Sequence, residues 1–223
     1  MPAPELLPSL RHLVRGLGIL FWGLPVALVV GVETARGSLL RGLDIFPALA
    51  ATAWLLVGLG ELGKFQPQER VWAAVLFRVK WLGLVLVGLS PFLFWGSRVP
   101  LEVFFRQMTA LFALVAVLQL AELNIVLRRL AAMLPDETLR DDVRLFSGVS
   151  RALLFLGVGA GAVGLALWRW PAPPQAVAVG LESAARLIYP GLVLFILLPL
   201  ALTMALLWKT RQMILDSVFA AKH

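Results

Sequence analysis

Glu61 and Glu122 are the residues of this chain best placed for chemistry, because each sits at the edge of a long apolar run. A carboxylate inside a membrane is costly to keep charged, so one found there is read first as functional. With Gln119 and Asn124 nearby in sequence, the pair outlines a candidate ion or proton site: Glu61, Glu122, Gln119 and Asn124. Cation binding or proton relay is the chemistry such groups support. The competing reading places both carboxylates at a hydrated interface, since basic residues follow each, and Glu61 and Lys64 are spaced i, i+3 for a side-chain pair. The interfacial reading is preferred.

Other chemistry finds little support. The chain has no cysteine, which excludes disulfides, thiolate metal sites and cysteine nucleophiles. Its two histidines, His12 and His223, stand near opposite termini, so no imidazole pair or bis-histidine haem is expected. No histidine is placed to activate a serine, and no metal-ligand spacing occurs. The expectation is a protein that is not an enzyme and carries no cofactor and no metal. Gly157, Gly161 and Gly164 form a small-residue face suited to close helix packing, internal contact being favoured over an intermolecular one.

The elements that position these residues follow from composition. Hydrophobic residues make up 60% and charged residues 15%, and the mean hydropathy is +0.88. Soluble domains carry about 25% charged residues. Six long uncharged runs stand out: Gly16–Val32, Ile45–Gly60, Trp81–Ser97, Gln107–Ala121, Ala152–Trp168 and Leu187–Trp208. A bilayer core about 30 Å thick needs roughly 20 mostly apolar residues per helix, and flanking turns with snorkelling Lys or Arg bring most runs to that length. The fold class expected is an all-α, polytopic integral membrane protein with six transmembrane helices.

Those helices are expected over about Leu13–Val32, Phe46–Leu62, Arg78–Ser97, Glu102 to Arg128, Arg151–Trp168 and Leu187–Trp208. Pro67 starts an elbow on the membrane surface, with Glu69 near a helix N-terminus and Trp72 and Trp81 at headgroup level. Similar starts at Pro4-Glu5 and Pro135-Asp136 divide the chain into three tandem helical hairpins, about 4–66, 67–134 and 135–223, forming one membrane domain. Between Pro135 and Arg151, interleaved Asp, Glu and Arg residues predict a charge-laced helix, solvated or partner-facing, ahead of the span from Arg151. A tail from Lys209 onward is amphipathic.

The net charge of +7 is unevenly spread. With an inside N-terminus and six crossings, only Arg36, Arg41, Arg98, Arg106, Arg169 and Arg186 fall outside, and every other Lys and Arg lies inside. That bias follows the positive-inside rule for cytoplasmic termini. The basic excess is therefore read as topology plus attraction to anionic headgroups, with no nucleic-acid partner. A bacterial cytoplasmic (inner) membrane is the expected location. The lipid bilayer, a homo-oligomer or the subunits of a membrane complex are the expected partners.

Gly63-x-Phe65-x-x-x-Glu69, followed by a basic helix entering the bilayer before Gly83, resembles an uncharacterised bacterial multi-pass family classed as a domain of unknown function. The second elbow departs from the pattern, lacking the Gly and Phe before Pro135. The resemblance implies a multi-pass membrane fold and brings no activity or residue role. The reading reached is a non-catalytic multi-pass membrane protein, a scaffold or accessory subunit of a membrane complex. The alternative is a small channel or transporter using the site around Glu61 and Glu122.

Overall fold

The computed structural model describes residues 6–37, 41–66, 68–133, 137–168 and 195–216. Helices α1 (Leu6–Arg36), α2 (Phe46–Leu62), α3 (Arg70–Leu89), α4 (Pro91–Arg98), α5 (Val103–Met133) and α6 (Glu137–Trp168) are joined by α7 over residues 195–216, with a single 3-10 turn at Arg41–Leu43. No strand occurs among the described residues. Pro67, Pro4-Glu5, Pro135-Asp136, the loop from Arg169 to Pro174 and the tail beyond residue 216 lie outside the described residues.

Local chemistry explains where the helices stop. Gly37 takes the left-handed conformation (φ 64°) that glycine tolerates best. Its N–H bonds back to the carbonyls of Glu33 and Thr34 at 3.0 and 3.2 Å, closing α1. Pro47 stands in the first turn of α2, where a missing N–H costs nothing. Pro91 separates α3 from α4 and leaves the Val87 carbonyl without its i+4 amide. Ser90 Oγ donates to that oxygen at 2.8 Å, replacing the lost bond.

Residue pairings fix the directions of the helices. Along α1 and α2, His12 meets Glu61, Gly16 meets Gly58, and Gly23 meets Leu55, so the two run antiparallel. Along α3–α4 and α5, Arg78 meets Glu122, Gly83 meets Gln119, and Gly96 meets Thr109. Along α6 and α7, Asp142 meets Lys209, Ser150 meets Pro199, and Gly157 meets Phe195. Helix α2 packs on α3, α5 packs on α6, and Phe21 of α1 lies 5.3 Å from Trp208 of α7, ring to ring. The rods therefore follow one another around the bundle in chain order, with α1 also touching α4 across it, and the start of α1 and the end of α7 share one end.

The bundle is packed unevenly along its length. Its core gathers at that shared, basic end, around Leu13, Leu59, Trp72, Leu127, Val143 and Leu207. The exterior is apolar: Trp22, Val29, Phe77, Phe155 and Leu156 are all more than half exposed, while Ser90, Asn124, Ser150 and Thr203 are fully buried. Such an inverted surface suits a lipid solvent, since water would penalise so continuous an apolar exterior. Three helical stretches, Ser9–Arg36, Arg70–Arg98 and Val103–Met133, are long and apolar enough to cross a membrane, and Phe46–Leu62 is a shorter apolar helix. The chain is thus all-helical and has the character of an integral membrane protein.

Some helices differ from the sequence expectation. Helix α2 has the bounds read from the sequence, but the expected charge-laced helix before Arg151 and the span after it are one rod, α6. The basic helix expected after the elbow is α3, which starts at Arg70 directly after Glu69. Trp72, expected among headgroups, is fully buried against Phe65, whose ring centroid is 6.1 Å away. The cause is spacing: Trp72, Val75, Leu76, Val79, Gly83 and Leu86 form one stripe at helical period, running unbroken from the elbow into the span. Trp81, off that stripe, is 52% exposed.

Candidate functional site

The expected ion or proton site is divided among three places. Glu61 occupies the last turn of α2 at the basic end, its side chain only 12% exposed. Its Oε2 accepts from His12 Nδ1 and its Oε1 from Lys64 Nζ, both at 2.7 Å. An ionised carboxylate only accepts, so this geometry puts the histidine proton on Nδ1. Lys80 Nζ lies beside this pair, in the space a Cβ on Gly63 would fill. Glu122, on α5, has its Oε2 3.4 Å from Arg78 Nη2 on α3, an ion pair too long for a strong hydrogen bond. Both carboxylates therefore join neighbouring helices at the basic end.

Asn124 follows Glu122 by two residues on α5, towards the basic end, and faces away from Gln119. Five residues of helix separate the two, which turns them about 140° apart. Asn124 Nδ2 donates to Leu120 O at 2.9 Å, Thr203 Oγ1 at 3.0 Å and Ser150 Oγ at 3.3 Å. Thr203 Oγ1 and Ser150 Oγ in turn donate to the Pro199 carbonyl at 2.7 and 3.4 Å. This knot joins α5, α6 and α7, and Asn124 Oδ1 is buried in it without a donor among the described residues. Gln119 instead crosses to α3, its Nε2 3.0 Å from where a Cβ on Gly83 would stand.

Towards the opposite end α1 packs against α4, with Gly37 beside Ser97, but below that contact the rods leave a gap. It is a cavity of 330 Å³ walled by Leu28, Leu55, Leu86, Phe112, Leu154 and Leu200, among others. Among the described residues its polar wall is limited to Thr52, Thr109 and Gln119, and no ionisable side chain lines it. The Thr52 hydroxyl is already bonded to Ala48 O at 2.8 Å, and Thr109 Oγ1 to Phe92 O at 3.4 Å. A wall with so few free polar groups holds water poorly and accepts apolar guests.

Gly157 packs against Phe195 of α7, its virtual Cβ 3.2 Å from the Phe195 Cβ. Gly161 and Gly164 belong to the helical part of α6, but their surroundings lie outside the described residues. A glycine that brings one helix against the backbone of another lies elsewhere, between α1 and α2. A Cβ on Gly16 would stand 3.0 Å from the Gly58 carbonyl, and one on Gly58 would stand 2.9 Å from Ile19 Cγ2. Sequence reasoning singled out glycines repeated along one helix and missed this pair, which lies across two. His12 was missed as a carboxylate partner for the same reason.

No group of three or more His, Asp or Glu side chains able to hold a metal gathers among the described residues. Comparison with known protein families, with curated proteins and with solved structures finds no match to this chain.

Proposed function

We propose that the chain is a non-catalytic, multi-pass protein of the bacterial cytoplasmic membrane that acts as a scaffold or accessory subunit of a membrane complex. It would cross the bilayer six times as three hairpins, with both termini cytoplasmic. The observation that carries the proposal is the use made of Glu61 and Glu122: each holds two helices together at the basic end, while the interior beyond is apolar. Charged groups used in this way favour a rigid assembly over a conduction path. The ring order of the three hairpins suits repeats related by an axis along the membrane normal.

The test is gentle extraction of the full chain from its native membrane, with mass measurement of the intact particle. A stoichiometric partner or a homo-oligomer is the expected result, and a lone monomer counts against the proposal. Proton and cation flux in liposomes should match that of empty vesicles and be unchanged by Glu61→Gln and Glu122→Gln.

A second reading, a small transporter, draws on the 330 Å³ cavity. Its lining would suit an apolar cargo rather than an ion. Flux of a lipophilic dye that stops when Ala116→Trp fills the cavity would favour this reading over the scaffold.

A further inference from the structure

We infer that a groove across α2, α1 and α7 binds one anionic phospholipid. The inference rests on the membrane setting alone and is independent of the scaffold reading. Arg11, Arg15, Gly18 and Trp22 follow one another at i, i+4, i+7 and i+11, which puts them on one stripe of α1. Arg211 of α7 and Trp54 of α2 flank the stripe, and together these residues line a groove of 570 Å³. The rest of its wall is aliphatic.

Charge and polarity run along the groove in the order a phospholipid requires. The three arginines gather at the basic end, and none forms an ion pair with a carboxylate among the described residues. Arg211 stacks near Trp208, its guanidinium carbon 5.7 Å from the ring centre, yet its Nε is buried with no hydrogen-bond acceptor. A buried guanidinium N–H without an acceptor is costly, and a phosphate oxygen satisfies it with a charge-assisted bond. Basic pockets between helices at a membrane surface are suited to anionic headgroups.

The acyl chain has a path of its own. Gly18 adds no side chain to the groove floor, and the nearest atom to its virtual Cβ is Arg211 Nε at 3.9 Å. About 10 Å further along the axis from Arg15, Trp22 is 62% exposed and Trp54 47% exposed, both presenting indole surface to the groove. The arginines would take the phosphate, and the chain would run over Gly18 and between the indoles.

The test is native mass spectrometry of the full chain in mild detergent, titrated with dioleoyl phosphatidylglycerol and, separately, with dioleoyl phosphatidylcholine. One phosphatidylglycerol should be retained at least tenfold more tightly than phosphatidylcholine. Arg211→Gln and Arg15→Gln should each weaken it about fivefold, the worth of one basic group at an anionic surface. Gly18→Leu, which keeps every charge, should also lose the lipid by blocking the chain path. Arg15 is exposed, so its variant keeps the test open should Arg211→Gln fail to fold. Equal retention of the two lipids, or unchanged binding in folded variants, overturns the inference. Displacement of the lipid by millimolar inorganic phosphate would reveal a free-anion site, and a lipid-free dimer closed over the groove would reveal a second copy as occupant. Either result also overturns it.

Discussion

Asn124 Nδ2 donates to Thr203 Oγ1 at 3.0 Å, linking the middle of α5 to α7 through an interior built mainly from leucine and valine. Ser150 and the Pro199 carbonyl extend the link to α6. Interhelical hydrogen bonds inside membrane proteins contribute about 0.6 kcal/mol on average and at most about 1.7. The expected coupling between Asn124→Ala and Thr203→Val is therefore close to that average. A double-mutant cycle on unfolding in mixed detergent micelles measures it. Simple additivity of the two substitutions would show that the bond contributes nothing net.

Ser90 and Pro91 make a second pair whose effects cannot be independent. Ser90 Oγ serves the Val87 carbonyl because Pro91 has no amide to offer it. Ser90→Ala should destabilise by about 0.5–1.5 kcal/mol, the net worth of one hydrogen bond, because the Ser90 N–H still reaches the Val87 carbonyl at 3.4 Å. In a Pro91→Ala background the restored amide takes over, and the same Ser90→Ala change should cost much less. Thermal unfolding of the four combinations in detergent decides it. An equal cost in both backgrounds would mean that the hydroxyl does not compensate for the proline.

How much of this was legible beforehand depends on which physical level a feature belongs to. Helix α2 was readable to the residue, because the uncharged run Ile45–Gly60 is followed at once by Glu61 and Lys64, on which the expected helix ends. Helix α6 reads as two helices in the sequence, because Asp141, Asp142 and Arg144 suggest a solvated or partner-facing helix ahead of the span. Charge changes where a helix is wetted, however, and no proline interrupts the backbone from Glu137 to Trp168. Trp72 showed its helical stripe in the sequence, yet only its packing against Phe65 in the core decided between headgroups and interior. The pairing of His12 with Glu61 required the register between α1 and α2, which no single helix contains. The apolar cavity required still more, being the volume that side chains of all the rods together fail to fill.

Gly58 provides a steric prediction that separates crowded from open glycines. A Cβ there would meet Ile19 at 2.9 Å and Leu20 at 3.2 Å, so a larger residue must push α1 and α2 apart. Gly58→Val should destabilise by about 1–3 kcal/mol, the usual cost of overpacking. Gly148 of α6 has nothing within 4 Å of its virtual Cβ. Gly148→Ala should then be neutral or stabilising by about 0.5–1 kcal/mol, since alanine in a helix restricts the unfolded chain. Melting temperatures in one detergent compare the two variants directly. A Gly58→Val protein as stable as the parent would refute the close approach of the two helices.

Arg78 and Glu122 allow the antiparallel register of α3 and α5 to be tested by exchange of charge. At 3.4 Å, with side chains 57% and 26% exposed, the pair is partly hydrated and should be worth about 0.2–1 kcal/mol. Arg78→Glu sets two carboxylates face to face at the basic end, turning that attraction into repulsion. Adding Glu122→Arg restores opposite charges in reversed order and should recover most of the loss. Because exposed charges are screened within about 3 Å at 1 M salt, the penalty of the single variant should shrink as ionic strength rises. Unfolding measured at low and high salt for the parent, the two single variants and the exchanged pair gives the full comparison. If the exchanged pair is no more stable than Arg78→Glu alone at low salt, the two side chains are not neighbours and the α3–α5 register is wrong.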